Sequence, residues 1–268
     1  MRDSKAMKIW NLLYPICIYF VVTSVSIIIL NFLLPETTNS KLFRQLLTSI
    51  AAFPFLLSFY RQDQKSRDEW KKQPYWERMK IRPADFFWMF VTGGCFAVAL
   101  NNLFGMMRLG DYSASYTEIT KTFYTGRLLL EIFALCMVIP IVEELLYRGI
   151  VYKRAADWLG ARYAAVVSAL IFGLIHMNLV QFIYASLFGL LLAYFAEVTG
   201  NLTGAIAAHM AANLTSVLRA ETRVFAFLDQ SLVVQVLAAV LLALIAAAGV
   251  FGIWQRNGGV KNNPEKEK

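Results

Sequence analysis

Residues 130–149 read LEIFALCMVIPIVEELLYRG, an unbroken apolar stretch that carries two adjacent carboxylates, Glu143 and Glu144, near its far end. A helix needs roughly 20 such residues to cross the ~30 Å hydrocarbon core of a bilayer, and this stretch has the length. Ionisable groups inside a span cost roughly 2.5 to 3.5 kcal/mol each on insertion scales, so they persist where they are paired or functional. Arg148 follows Glu144 by four residues and shares its helix face, which makes an ion pair natural. Glu143 lies about 100° further round the helix and is free to face something else. Pro140, three residues before the pair, removes a backbone donor and is expected to kink the helix just ahead of the carboxylates.

Comparable apolar runs recur along the chain, at 10–34, 42–60, 84–107, 127–147, 163–177, 179–197, 202–218 and 232–254. Of the 268 residues, 58% are hydrophobic and 16% charged, outside the balance of soluble domains. The mean hydropathy is +0.51. The fold expected is all-α, a polytopic transmembrane helix bundle of about eight spans. The first run is too long for a signal-peptide core and lacks a small-residue cleavage site, so it reads as a retained span. Runs five to seven are short and closely connected, which suggests tightly packed or partly re-entrant helices.

Basic residues accumulate on the cytoplasmic side of membrane proteins. With the N-terminus inside, an even number of spans puts nineteen of the 26 Lys and Arg residues in the N-terminal segment, the 61–82 loop, the 148–162 connection and the tail. That asymmetry predicts cytoplasmic N- and C-termini and accounts for the net charge of +8 without nucleic acid. The 61–82 loop, with Trp70 and Trp76, reads as a solvated loop in preference to an interfacial segment. Cys17, Cys95 and Cys136 lie far apart in apolar runs, as small core residues do. The expected division is one integral-membrane domain, 1–268. It comprises variable N-terminal spans (1–126), a catalytic core (127–220), a last span (221–254) and a disordered cytoplasmic tail (255–268).

The chain has only two histidines, and both sit in polar-interrupted apolar runs. His176 lies in LIFGLIHMNLVQF and His209 in NLTGAIAAHMAANLTS. His209 and Asn213 are four apart on one face, as are Phe172 and His176, with Gly173 and Ala169 permitting close helix approach. At 1.5 Å per residue His209 and Glu143 reach comparable depth, provided the Glu143 helix continues past Arg148. His176 comes out deeper if its helix begins near 161, and needs a tilt, a break or a later start.

A carboxylate and an imidazole around a water supply general-base activation, and Glu143 with His176 fits that role. A second imidazole with a carboxamide can donate to the oxyanion formed when water attacks an amide, and His209 with Asn213 fits this one. The reaction predicted is peptide-bond hydrolysis in or at the membrane. Glu143, His176 and His209 could instead bind zinc with water in the fourth position, but the spacing is not H-E-x-x-H, and metal-free chemistry without a cofactor is favoured. Ser168, Ser186 and Ser216 pair with neither histidine by spacing, and no G-x-S-x-G elbow is present.

The segments EELLYR (143–148), FGLIH (172–176) and HMAAN (209–213), in this order, resemble the E-E-x-x-x-R, F-x-x-x-H and H-x-x-x-N motifs of the CPBP family, the CAAX-type prenyl endopeptidases and bacteriocin-processing or immunity proteins also called Abi. The resemblance covers roughly residues 127–220. It implies an intramembrane endopeptidase in which Glu143 and His176 activate water and His209 and Asn213 stabilise the oxyanion, with Glu144, Arg148 and Phe172 in support. The family has been described both as zinc and as glutamate-type proteases. The expected partners are the lipid bilayer and a membrane-associated peptide or protein substrate, with no nucleic acid. The compact chain without targeting extensions suggests a bacterial cytoplasmic membrane. The alternative is a non-catalytic immunity protein or a proton-coupled transporter using the same cluster.

Overall fold

A backbone in a bilayer has no water to bond to and must satisfy its own N–H and C=O groups, which is why the apolar runs wind into helices. The computed structural model describes residues 4–35, 37, 40–71, 82–109, 118, 123–124 and 127–256. Among these residues there are eight helices and no strand. They are α1 (Lys5–Leu33), α2 (Ser40–Lys71), α3 (Pro83–Met106), α4 (128–159), α5 (Ala161–Leu174), α6 (Leu179–Thr199), α7 (Thr203–Glu221) and α8 (Leu232–Arg256). Five of them, α1, α2, α3, α6 and α8, are long and apolar enough to cross a membrane. The chain is an integral membrane protein with an all-α bundle.

Local signals set the helix ends. Ser4 caps α1 by accepting from the Met7 N–H, and Pro83 opens α3 at a position where its missing donor is harmless. Gly160, at φ 79°, separates α4 from α5 in a backbone conformation that only glycine adopts without strain. α4 is unusual inside: residues 132–138 and 145–152 are wound as π-helix, with an α-helical stretch, Ile139–Glu144, between them. Pro140 sits at the start of that middle stretch, so the expected irregularity takes the form of π turns on both sides of the carboxylates.

Two of the expected helix ends are corrected. α2 runs on to Lys71, so residues 61–71 of the anticipated loop are helical, and α4 runs on to Leu159 through most of the anticipated 148–162 connection. Both extensions are polar, and hydropathy marks where a span leaves the hydrocarbon, not where the helix stops. They are held to each other and to α1. Arg154 grips Asp63 with both Nε (2.7 Å) and Nη2 (3.0 Å), donates to Tyr14 Oη (2.9 Å) and reaches the Asn11 carbonyl (2.6 Å). Of the expected disordered tail, 255–268, Gln255 and Arg256 instead end α8, and 257–268 together with the rest of the 61–82 loop, 72–81, lie outside the described residues.

Helix ends pair in two groups. Asp85 at the start of α3 is buried and bonded to Arg256 at the end of α8 (2.6 Å), while Tyr152 on α4 donates to Glu197 near the end of α6 (2.8 Å). At the opposite end Arg219 of α7 joins Asn102 of α3 to Asp229. Consecutive helices therefore alternate in direction. One core, built on Leu146, Tyr147, Ile150 and Val151, gathers α1, α2 and α5 around α4, and a second, built on Met89, Phe188, Leu192 and Ala208, joins α3, α6, α7 and α8. The polar cluster lies where the two meet.

Candidate active site

Three helices and one turn supply the cluster. Glu143 and Glu144 end the α-helical stretch of α4, and Arg148 follows one turn later. Arg148 and Glu144 are fully buried, and Arg148 Nη1 donates to Glu144 Oε1 over 3.0 Å. Its Nη2 donates to the carbonyl of Gly189 on α6 (3.1 Å), and its guanidinium stacks 4.5 Å from the Phe172 ring centroid. A buried charge of this kind is tolerable only when it is both paired and hydrogen-bonded, and here it is. A side chain at Gly189 would press on Arg148 and on Ala169, so the glycine lets α6 come close enough for its carbonyl to be used.

His209 joins both carboxylates. Its Nδ1 lies 2.8 Å from Glu144 Oε1, and since an ionised carboxylate only accepts, Nδ1 carries the proton of that bond. Its Nε2 then faces Glu143, 3.6 Å from Oε2, too long for a direct hydrogen bond. The two neighbouring acids thus differ sharply. The Glu144 side chain is 0% exposed and engaged by Arg148 and His209, whereas that of Glu143 is 15% exposed. Glu144 is fully enclosed, and Glu143 is the carboxylate that keeps an accessible face.

His176 is not helical. α5 stops at Leu174, and His176 sits in the turn before α6, next to Met177 in the left-handed region at φ 57°. The break is the answer to its excess depth in a helix starting near 161. Its Nδ1 pairs with the Phe172 carbonyl (2.9 Å). The Phe172 ring stands edge-on to both imidazoles, 5.2 Å from His176 and 5.7 Å from His209. Asn213, half-buried on α7, donates Nδ2 to the carbonyl of Leu135 in the first π segment of α4 (2.7 Å).

Four contributors were not among the expected site residues. Asn178 donates to the His176 carbonyl (3.0 Å) and caps α6 by accepting from the Gln181 N–H (2.8 Å). An asparagine directly before an apolar run is a recognisable N-cap signal. Tyr147 and Phe188 pack against Phe172 (5.1 Å) and His209 (6.1 Å), and Ser168 donates to the Tyr147 carbonyl (2.8 Å). These depend on tertiary contacts that spacing does not encode. Among the described residues no group of three or more His, Cys, Asp and Glu side chains is gathered so as to hold a metal ion.

A helical bundle with five membrane-crossing candidates and a buried polar cluster defines a polytopic membrane protein with a polar centre. Residues 125–215 match the family described as Type II CAAX prenyl endopeptidase Rce1-like. That segment contains all seven motif positions, from Glu143 to Asn213, and it is the family that the three motifs resemble. No curated protein and no solved structure matches the chain.

Proposed function

We propose that the chain is an intramembrane endopeptidase that hydrolyses a peptide bond in a membrane-associated peptide or protein. The observation that carries this reading is the way His209 separates the two carboxylates. Its Nδ1 is fixed by Glu144, and its Nε2 and the partly open Glu143 carboxylate border the same space. In the proposed reaction Glu143, with His176, takes a proton from water, and the resulting hydroxide adds to the scissile carbonyl. The oxygen that becomes negative is stabilised by the second N–H of Asn213 and by His209, which must carry a proton on Nε2 as well as on Nδ1 to donate to it. Collapse of the tetrahedral intermediate breaks the C–N bond, and the proton held at Glu143 leaves on the amine. Glu144 and Arg148 hold His209 from behind, and Phe172 keeps the two imidazoles apart.

This chemistry needs no metal, and the glutamate-type reading is preferred because the spacing is not H-E-x-x-H; the Nδ1 contacts of His176 with the Phe172 carbonyl and of His209 with Glu144 leave both Nε2 atoms free and suit either reading. The placement that goes with it is eight spans with both termini cytoplasmic, in a bacterial cytoplasmic membrane. The test is cleavage of a panel of membrane-tethered peptides by wild type, Glu143→Ala and His176→Ala. Wild type should cleave and both variants should lose activity by ~10²-fold or more. Equal processing by all three would remove the mechanism, and loss of wild-type activity on chelation with recovery on zinc would replace it with a metal-dependent one.

A further inference from the structure

The hydrogen bond from Asn213 to Leu135 needs a reason, because a helical carbonyl ordinarily has a backbone donor of its own. Residues 132–138 are π-helical, and in that winding the donor stands five residues beyond the acceptor. The register is explicit at the end of the segment, where the N–H of Ile139 donates to the carbonyl of Ala134. The next carbonyl in the series belongs to Leu135. The residue five beyond it is Pro140, which has no N–H to give. Pro140 therefore removes the donor that the π ladder would offer Leu135, and the Asn213 carboxamide takes that acceptor at 2.7 Å. The carboxamide is planar and has two N–H groups, so binding one of them to Leu135 fixes the direction of the other.

We propose that Pro140 is a positioning residue for Asn213: by denying Leu135 a backbone donor, it makes the Leu135 carbonyl the anchor that aims the second N–H of Asn213 at the oxyanion. The role of the second N–H rests on the peptidase reading, whereas the link from Pro140 through Leu135 to Asn213 stands on geometry alone. This link runs from α4 to α7, the two helices whose separation sets the distance between the attacking water and the oxyanion donors.

Two readouts test it. The first is the rate of cleavage of a quenched-fluorescent peptide tethered by an acyl chain to proteoliposomes. Pro140→Ala restores an N–H at position 140, and kcat should fall roughly tenfold or more with KM within about twofold, short of the ~10²- to 10³-fold cost of losing an oxyanion donor outright. In an Asn213→Ala background the same change should have no further effect on kcat. An alanine analogue at 140 whose N–H is replaced by an ester oxygen should restore the rate. If Pro140→Ala folds poorly, an ester at the bond between residues 135 and 136 weakens the Leu135 carbonyl as an acceptor and should reproduce the loss.

The second readout is solvent exchange of the Asn213 carboxamide protons in 15N-asparagine-labelled protein, with the signal identified by its absence from Asn213→Ala. One of the two protons should be protected in wild type and unprotected in Pro140→Ala. Unchanged exchange and unchanged kcat in Pro140→Ala, or rate losses that multiply in the double variant, would overturn the proposal. If wild type cleaves nothing, the peptidase reading fails, and the exchange measurement alone decides the link.

Discussion

Two carboxylates side by side in one helix have opposite situations, and the difference is set by what each can reach. Glu144 is fully buried between Arg148 and His209, so removing it leaves a guanidinium in the interior without its counter-charge. Breaking a buried pair in this way typically costs ~3–5 kcal/mol. Glu144→Ala should therefore lower thermal stability in detergent by several degrees and abolish activity with it. Glu143→Gln should leave the melting temperature within a degree or two of wild type while removing cleavage, because among the described residues Glu143 makes no polar contact closer than its 3.6 Å approach to His209. Similar melting temperatures for the two variants would contradict the division of roles.

At the scale of elements, the α5–α6 hairpin exists to hold a turn. Gly173 faces α6 so closely that a Cβ there would meet the Phe182 carbonyl at 2.7 Å and run into Ser186 Oγ. Gly173→Val should destabilise the protein by about 1–3 kcal/mol, read by thermal unfolding, as overpacked helix contacts do. Asn178 ties that turn down, and Asn178→Ala should cost ~1 kcal/mol through the lost cap. Asn178→Asp keeps the acceptor for the Gln181 N–H and loses the donor to the His176 carbonyl. It should retain stability and lose turnover, with a shifted His176 ring signal in NMR, and wild-type turnover would remove Asn178 from the site.

The sequence was most informative about which residues belong together. Glu144 with Arg148 and His209 with Asn213 follow from spacing, because four residues on a helix share a face whatever surrounds it. His176 was legible as a polar residue one turn beyond Phe172 but not as a turn residue, since the mostly apolar stretch from Phe172 to Met177 continues the helical pattern past Leu174, where the helix ends. The bond between His209 and Glu144 was not legible at all. It depends on the angle at which α7 crosses α4, which close contacts such as that of Gly93 on α3 with Ala208 on α7 help to set. Helix lengths were underestimated where polar turns continue an apolar span, as at 61–71 and at the end of α4.

Across the whole molecule, the pairing of helix ends gives an alternating bundle with two distinct ends. The end that joins Arg154, Asp63, Tyr14 and Asn11 also holds Asp85 with Arg256 and Tyr152 with Glu197. The proposed orientation places this end in the cytoplasm. Reporter fusions at either terminus should both report a cytoplasmic location, and opposite locations would require an odd number of spans. Arg154→Ala should loosen α4 against α1 and α2, detectable as faster hydrogen exchange over residues 145–159, because Arg154 makes all four of those bonds. Unchanged exchange would make that clamp incidental to the packing of the helix that bears the carboxylates.

In the proposed mechanism Glu143 activates water for peptide hydrolysis inside this bundle without a metal. The most direct test is turnover of a membrane-tethered peptide by exhaustively chelated protein in proteoliposomes, wild type beside Glu143→Gln. Wild-type turnover should be undiminished and the variant should lose ~10²- to 10⁴-fold, the range that general-base catalysis supplies. Equal turnover by the two proteins would contradict it.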